Sequence, residues 1–89
     1  MTADDDTLFD FPCRFPIKAM GLANNDIRPT VAALVREHAA DVSDEDIQVT
    51  PSRNGKYVSV TVTITATSRE QLDTIYLALN DHDAIVMTL

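Results

Sequence analysis

Between Tyr57 and Ala66 the chain alternates without a break, with Val58, Val60, Val62, Ile64 and Ala66 on one side and Tyr57, Ser59, Thr61, Thr63 and Thr65 on the other. A period of two held over this length marks a strand with one apolar face, and the β-branched Val, Ile and Thr residues favour pleated backbone. The hydroxyl-bearing face needs no cover from the core. The strand therefore belongs to a sheet with its packing layer on one side only, and the rest of the chain has to supply that layer.

On the N-terminal side of this strand, Ile47-Gln48-Val49-Thr50 alternates again, and Pro51-Ser52-Arg53-Asn54-Gly55 between the two carries the Asn-Gly signal of a hairpin. On the C-terminal side, Ser68 with Gln71 three residues later is a capping-box pair opening a helix, in which Leu72, Ile75, Tyr76 and Leu79 form one apolar stripe. Asn80 and Asp81 end it, and Ala84-Ile85-Val86-Met87-Thr88-Leu89 reads as a short buried strand. Near the start, Phe15, Ile17 and Ala19 alternate with Pro16, Lys18 and Met20, which predicts a strand over 14–20; Pro12 and Pro16 assign it to a sheet edge or a bulge. Gly21 breaks that pattern. Asn24, Asn25 and Asp26 offer oxygens to cap a helix with Pro29 in its first turn and Ile27, Val31, Leu34, Val35 and His38 along one stripe. An acidic link, Asp41 to Asp46, joins that helix to the hairpin.

The order is strand, helix, strand, strand, helix, strand. It predicts an α+β fold of the ferredoxin-like βαββαβ kind, a four-stranded antiparallel sheet with two helices on one face. The other face stays open and is expected to present Lys18, Tyr57, Ser59, Thr61, Thr63 and Thr65, joined by Met20, Val86 and Thr88.

Eighty-nine residues make one domain, here 11–89, behind a flexible acidic tail over 1–10 that holds Asp4, Asp5, Asp6 and Asp10 and no base. The net charge of −7 opposes binding to nucleic acid, whose attraction rests on clustered Lys and Arg. A lone Cys13 forms no internal disulfide, no basic and apolar leader opens the chain, and the longest apolar run, Val31 to Val35, is far too short for a membrane span. A cytoplasmic protein without a membrane partner is expected.

Chemistry is mostly excluded. Base stacking on this fold needs aromatics on the central strands, and the third strand offers Tyr57 and then only Ser and Thr. Metal transfer needs paired cysteines after the first strand, and Met20-Gly21-Leu22-Ala23-Asn24 has none. Asp44, Glu45 and Asp46 lack the Gly and distant Glu of a calcium loop and read as a solvated turn, while His38 on its stripe reads as structural. No nucleophile elbow, phosphate loop or zinc-type His-Glu spacing occurs. Arg28 after the Gly21 to Asp26 loop faintly echoes acylphosphatases, but Asp26 would repel a phosphate. Neither an enzyme nor a cofactor is expected.

At Phe11-Pro12 through Met20-Gly21, then Pro51-Ser52, Gly55, Tyr57, Ser59-Val60, Ala66-Thr67 and the closing Val86-Met87-x-Leu89, the chain resembles the bacterial YbeD family of uncharacterised proteins, the DUF493 or UPF0250 group. The resemblance covers residues 11–89. It implies a fold similar to ACT regulatory domains, which hold small effectors against the loop after the first strand, and a partner or regulator in lipoate metabolism. That loop is Gly21, Leu22, Ala23, Asn24, Asn25 and Asp26 here, although Arg28-Pro29 is followed by Thr30 where an ACT domain has Gly. Two functions are expected from these residues. The first is a regulatory or interaction module that docks an unknown protein partner, or itself, through the open face; the second is a sensor of a small-molecule effector at the Gly21–Asp26 loop.

Overall fold

The long alternating strand organises the sheet as its pattern requires. In the computed structural model, which describes residues 10–89, the elements run β1 (Cys13–Leu22), α1 (Ile27–Arg36), a 3-10 turn (Asp44–Asp46), β2 (Ile47–Pro51), β3 (Tyr57–Ala66), α2 (Arg69–Asn80) and β4 (Met87–Thr88). The tail expected over 1–10 lies, apart from Asp10, outside the described residues. The sheet is antiparallel throughout, in the order β2-β3-β1-β4. Val60, Val62, Ile64 and Ala66 of β3 are fully buried beside Ile17 and Ala19 of β1. Ile27, Val31, Ala32 and Val35 of α1 and Leu72, Ile75 and Leu79 of α2 complete the same core. The ferredoxin-like order and the single helical layer are thus as expected. Cys13 is half-buried against this core.

Four local expectations change. The first strand is not an edge: β1 lies between β3 and β4 and pairs with β3 along its whole length. Leu89 N–H donates to the Lys18 carbonyl at 2.9 Å and Val86 N–H to the Met20 carbonyl at 2.8 Å, so the even-numbered backbone groups of β1 point to β4. Pro16 therefore turns its donorless nitrogen to that side, where β4, paired only with Ala19 and Met20, does not reach. The proline sits at a local edge of an inner strand.

The second change is at Gly21, which continues β1 opposite Val58 instead of ending it. Third, α1 stops at Arg36 and His38 is exposed; Ala39 and Val42 take the buried positions beyond the helix. The chain leaves the helical path before His38, so the 3.6-residue stripe no longer sets its direction.

Fourth, the closing segment is not a buried strand. Only Met87–Thr88 pairs, and Val86, Met87 and Leu89 are about half exposed or more, with Ile85 alone in the core. Thr88 stands opposite the buried Ala19 and so shares the helical face, where its hydroxyl donates to Asn80 Oδ1 at 3.1 Å. Met87, opposite Met20, takes the open face in its place.

Candidate functional site

Partners across an antiparallel pair point to the same side, which defines the open face residue by residue. Arg14, Pro16, Lys18 and Met20 of β1 stand opposite Thr65, Thr63, Thr61 and Ser59 of β3, and Gln48 and Thr50 of β2 stand opposite Thr61 and Ser59. Tyr57 and Leu22 close one end of the face as a pair. The residues expected there, Lys18, Tyr57, Ser59, Thr61, Thr63 and Thr65, are thereby brought together. None of the outward strand positions is acidic. Lys18 forms no ion pair with any described carboxylate, and the Lys56 ammonium lies 5.6 Å from the Tyr57 ring centre at the rim.

Arg14 is already engaged: it donates to Thr65 Oγ1 at 3.0 Å and to Asp46 Oδ1 at 2.8 Å. Asp46 also accepts from the Ser43 N–H at 3.0 Å, closing a capping box on the 3-10 turn. That backbone hydrogen bond is the main reason its carboxyl titrates below the ordinary aspartate value of 3.8, with Ser43 Oγ and Arg14 acting in the same direction. Asp44 meets Arg36 at 3.2 Å and Arg28 at 3.7 Å. The acidic turn is thus a fastening between α1, β1 and β2, and no three His, Cys, Asp or Glu side chains among the described residues are placed to hold a metal.

A carboxyl whose pKa is depressed by folding adds stability above its unfolded pKa, and this is lost as pH falls through the folded value. Asp46→Asn is expected to flatten the acid limb of the stability curve, measured by urea unfolding between roughly pH 7 and pH 3. An unchanged acid limb would assign the acid sensitivity to other carboxylates.

The loop after β1 is built differently from the open face. Gly21 is buried, and a Cβ there would lie 2.6 Å from the Ala84 carbonyl and 3.0 Å from Ile27 Cγ2. Ala23 N–H donates to the Lys56 carbonyl at 2.9 Å and Asn25 N–H to the Leu22 carbonyl at 3.0 Å. Ala23, Asn24, Asn25 and Asp26 are exposed, and Asp26 occupies the cap position of α1 without a side-chain hydrogen bond to the helix.

On α2, Ser68 Oγ accepts the Gln71 N–H at 3.0 Å as the capping pair requires. The Gln71 amide, however, accepts from Thr67 N–H at 2.8 Å and donates to the His38 carbonyl at 2.7 Å, so it ties α2 to the segment that follows α1. His38 contributes through its carbonyl and not through its ring. Two features were passed over in the sequence: the arginine fastening of the acidic turn, and Leu77, which is 71% exposed. Leu77 lies off the α2 stripe, and a leucine outside a helix's buried face was the available signal.

The family model described as protein of unknown function (DUF493) matches residues 6–89, so the match takes in part of the segment read as tail. The UPF0250 protein of Chromobacterium violaceum is 44% identical over the full length of both chains. UPF0250 protein NE1487 of Nitrosomonas europaea is 45% identical over 96% of this chain and 98% of its own. The solution structure of protein HP0495 from H. pylori superposes with a TM-score of 0.70 at 17% identity, covering 91% of this chain and 85% of that one, a likeness of fold. No helix among the described residues is long and apolar enough to cross a membrane.

Proposed function

We propose that this chain, which belongs to the DUF493 family of proteins of unknown function, is a non-catalytic interaction module that docks a partner protein through its uncovered sheet face. The observation that carries the reading is the face itself: a row of hydroxyls on β3 beside Lys18, with Arg14 held by Asp46 at one end and no carboxylate among the outward strand positions, in a chain of net charge −7. A partner surface bearing carboxylates meets Lys18 best. A second copy offers no outward carboxylate there. The hydroxyls of Ser59, Thr61 and Thr63 suit polar and water-bridged contacts, which give specificity at modest affinity.

The geometry favours this over an effector sensor at the Gly21–Asp26 loop. Two of that loop's amides, those of Ala23 and Asn25, already donate to Lys56 and Leu22, so they are not free for a ligand carboxylate. A link to lipoate metabolism would then be a matter of which protein docks.

Thr61→Arg and Thr63→Glu are expected to leave the unfolding free energy within about 1 kcal/mol of the parent, since both side chains are half-buried on the uncovered face and not in the core. Both are expected to cut partner binding by an order of magnitude or more. The check is capture from native cell extract followed by titration of the purified partner, with sedimentation run alongside. A chain that stays monomeric and keeps its partners unchanged in both variants would refute the reading; loss of self-association instead would replace the partner by a second copy.

A further inference from the structure

Among the large apolar side chains exposed in the described residues, Leu77 of α2 is the most exposed at 71% and stands on the helical side of the sheet, whereas Met87 and Leu89 follow Met20 and Lys18 to the open face. The helix is fastened to the β4 segment: Tyr76 OH donates to the Leu89 carbonyl at 3.1 Å and Thr88 Oγ1 to Asn80 Oδ1 at 3.1 Å. Beside these bonds runs a solvent-open groove of about 360 Å³, lined among the described residues by Asp73, Tyr76, Leu77 and Asn80. Positions 73, 76, 77 and 80 are neighbours along one side of a helix, so the lining is a continuous strip. Desolvation pushes the Tyr76 hydroxyl above its ordinary value, and it remains a neutral donor.

Charge decides what fits. From residue 69 to the end of the sequence the acids are Glu70, Asp73, Asp81 and Asp83, and the only Lys or Arg is Arg69, at the far end of α2. An anionic lipid surface or a nucleic acid is repelled by this rim. A second copy docked about a twofold would bring Asp73 towards its own counterpart in a chain already at −7. We propose that this strip of α2 is a docking groove for a cationic amphipathic segment of a partner protein, its apolar side chains seated on Tyr76 and Leu77 and its Lys or Arg side chains over Asp73. Such a strip-and-rim arrangement is how an amphipathic helix is read by an apolar groove. The groove lies on α2, on the helical side of the sheet, away from the open face of β1 and β3.

The test is titration of the full chain with a labelled amphipathic Leu/Lys peptide and with a Leu/Glu peptide of the same pattern. It is carried out on a background in which Asp4, Asp5 and Asp6 are changed to Asn, because those acids would draw any cation. The Leu/Lys peptide is expected to shift the backbone amide resonances of Asp73, Tyr76, Leu77 and Asn80. Its affinity is expected to fall at least tenfold in Asp73→Lys and in Leu77→Gln, both solvent-facing positions that tolerate exchange, and to be unchanged in Thr61→Arg. Equal binding of the Leu/Glu peptide, shifts confined to other surfaces, or affinity unmoved by both groove variants would overturn the proposal. Loss of binding in Thr61→Arg alone would place the peptide on the open face instead.

Discussion

Gly21→Ala is expected to destabilise the fold by about 2–3 kcal/mol, and Gly21→Val by more, although neither removes a single native contact. The added Cβ would stand 2.6 Å from the Ala84 carbonyl oxygen and 3.0–3.2 Å from the Ile27 side chain. Ile27 could turn, but Ala84 O is backbone in the segment that leads to Ile85 in the core. Relief therefore requires that segment to move away from β1, which strains the bonds from Val86 and Leu89 to Met20 and Lys18. For a domain of this size such a loss lowers the unfolding midpoint by on the order of 10–20 °C, readily measured by thermal melting. A change below about 0.5 kcal/mol would show that the β4 segment yields freely and that the approach is not a packing constraint.

This has a consequence for function. Because Gly21 is tightly packed, loss of any ligand response in Gly21→Val would report unfolding and not binding. The loop is better interrogated at Asn24 and Asn25, which are exposed and bear no structural load through their side chains in the described hydrogen bonds.

What was legible in the sequence divides along a physical line. Tyr57–Ala66 was read to the residue because both of its faces declare themselves, apolar against the helices and hydroxyl against solvent. The helix stripes held wherever the backbone stayed helical, at Ile27, Val31, Val35, Leu72, Ile75 and Leu79, and failed at His38, where it did not. Gly21 was taken as a strand end because glycine usually punctuates, whereas here its missing side chain admits another chain segment; that requirement belongs to Ala84, more than sixty residues away, and no local pattern carries it. The closing Ala84–Leu89 run shows the converse. Apolar residues state a preference for cover but not whether cover exists, and only the sheet order reveals that β4 is an edge with Val86, Met87 and Leu89 outward of the core.

The same division can be measured on one strand. Ile64→Ala is expected to cost about 3–4 kcal/mol, while Thr63→Ala, one residue earlier, should cost no more than about 1 kcal/mol. Ile64 is fully buried on β3, opposite Phe15, in the layer that the two helices cover, so truncation removes three carbons from a close-packed site and leaves a void that the rigid sheet cannot close. Thr63 points to the open face opposite Pro16, where the space vacated by its methyl and hydroxyl groups fills with water. A domain of this length holds only some 5–10 kcal/mol in all, so Ile64→Ala removes a large fraction of it and should leave a partly unfolded population in mild urea. Equal costs at the two positions, by urea titration, would mean that the hydroxyl face of β3 is itself covered in solution, most simply by a second copy. That outcome would turn the open face from a docking surface into an established interface, and the stability of Thr63→Ala would then depend on protein concentration.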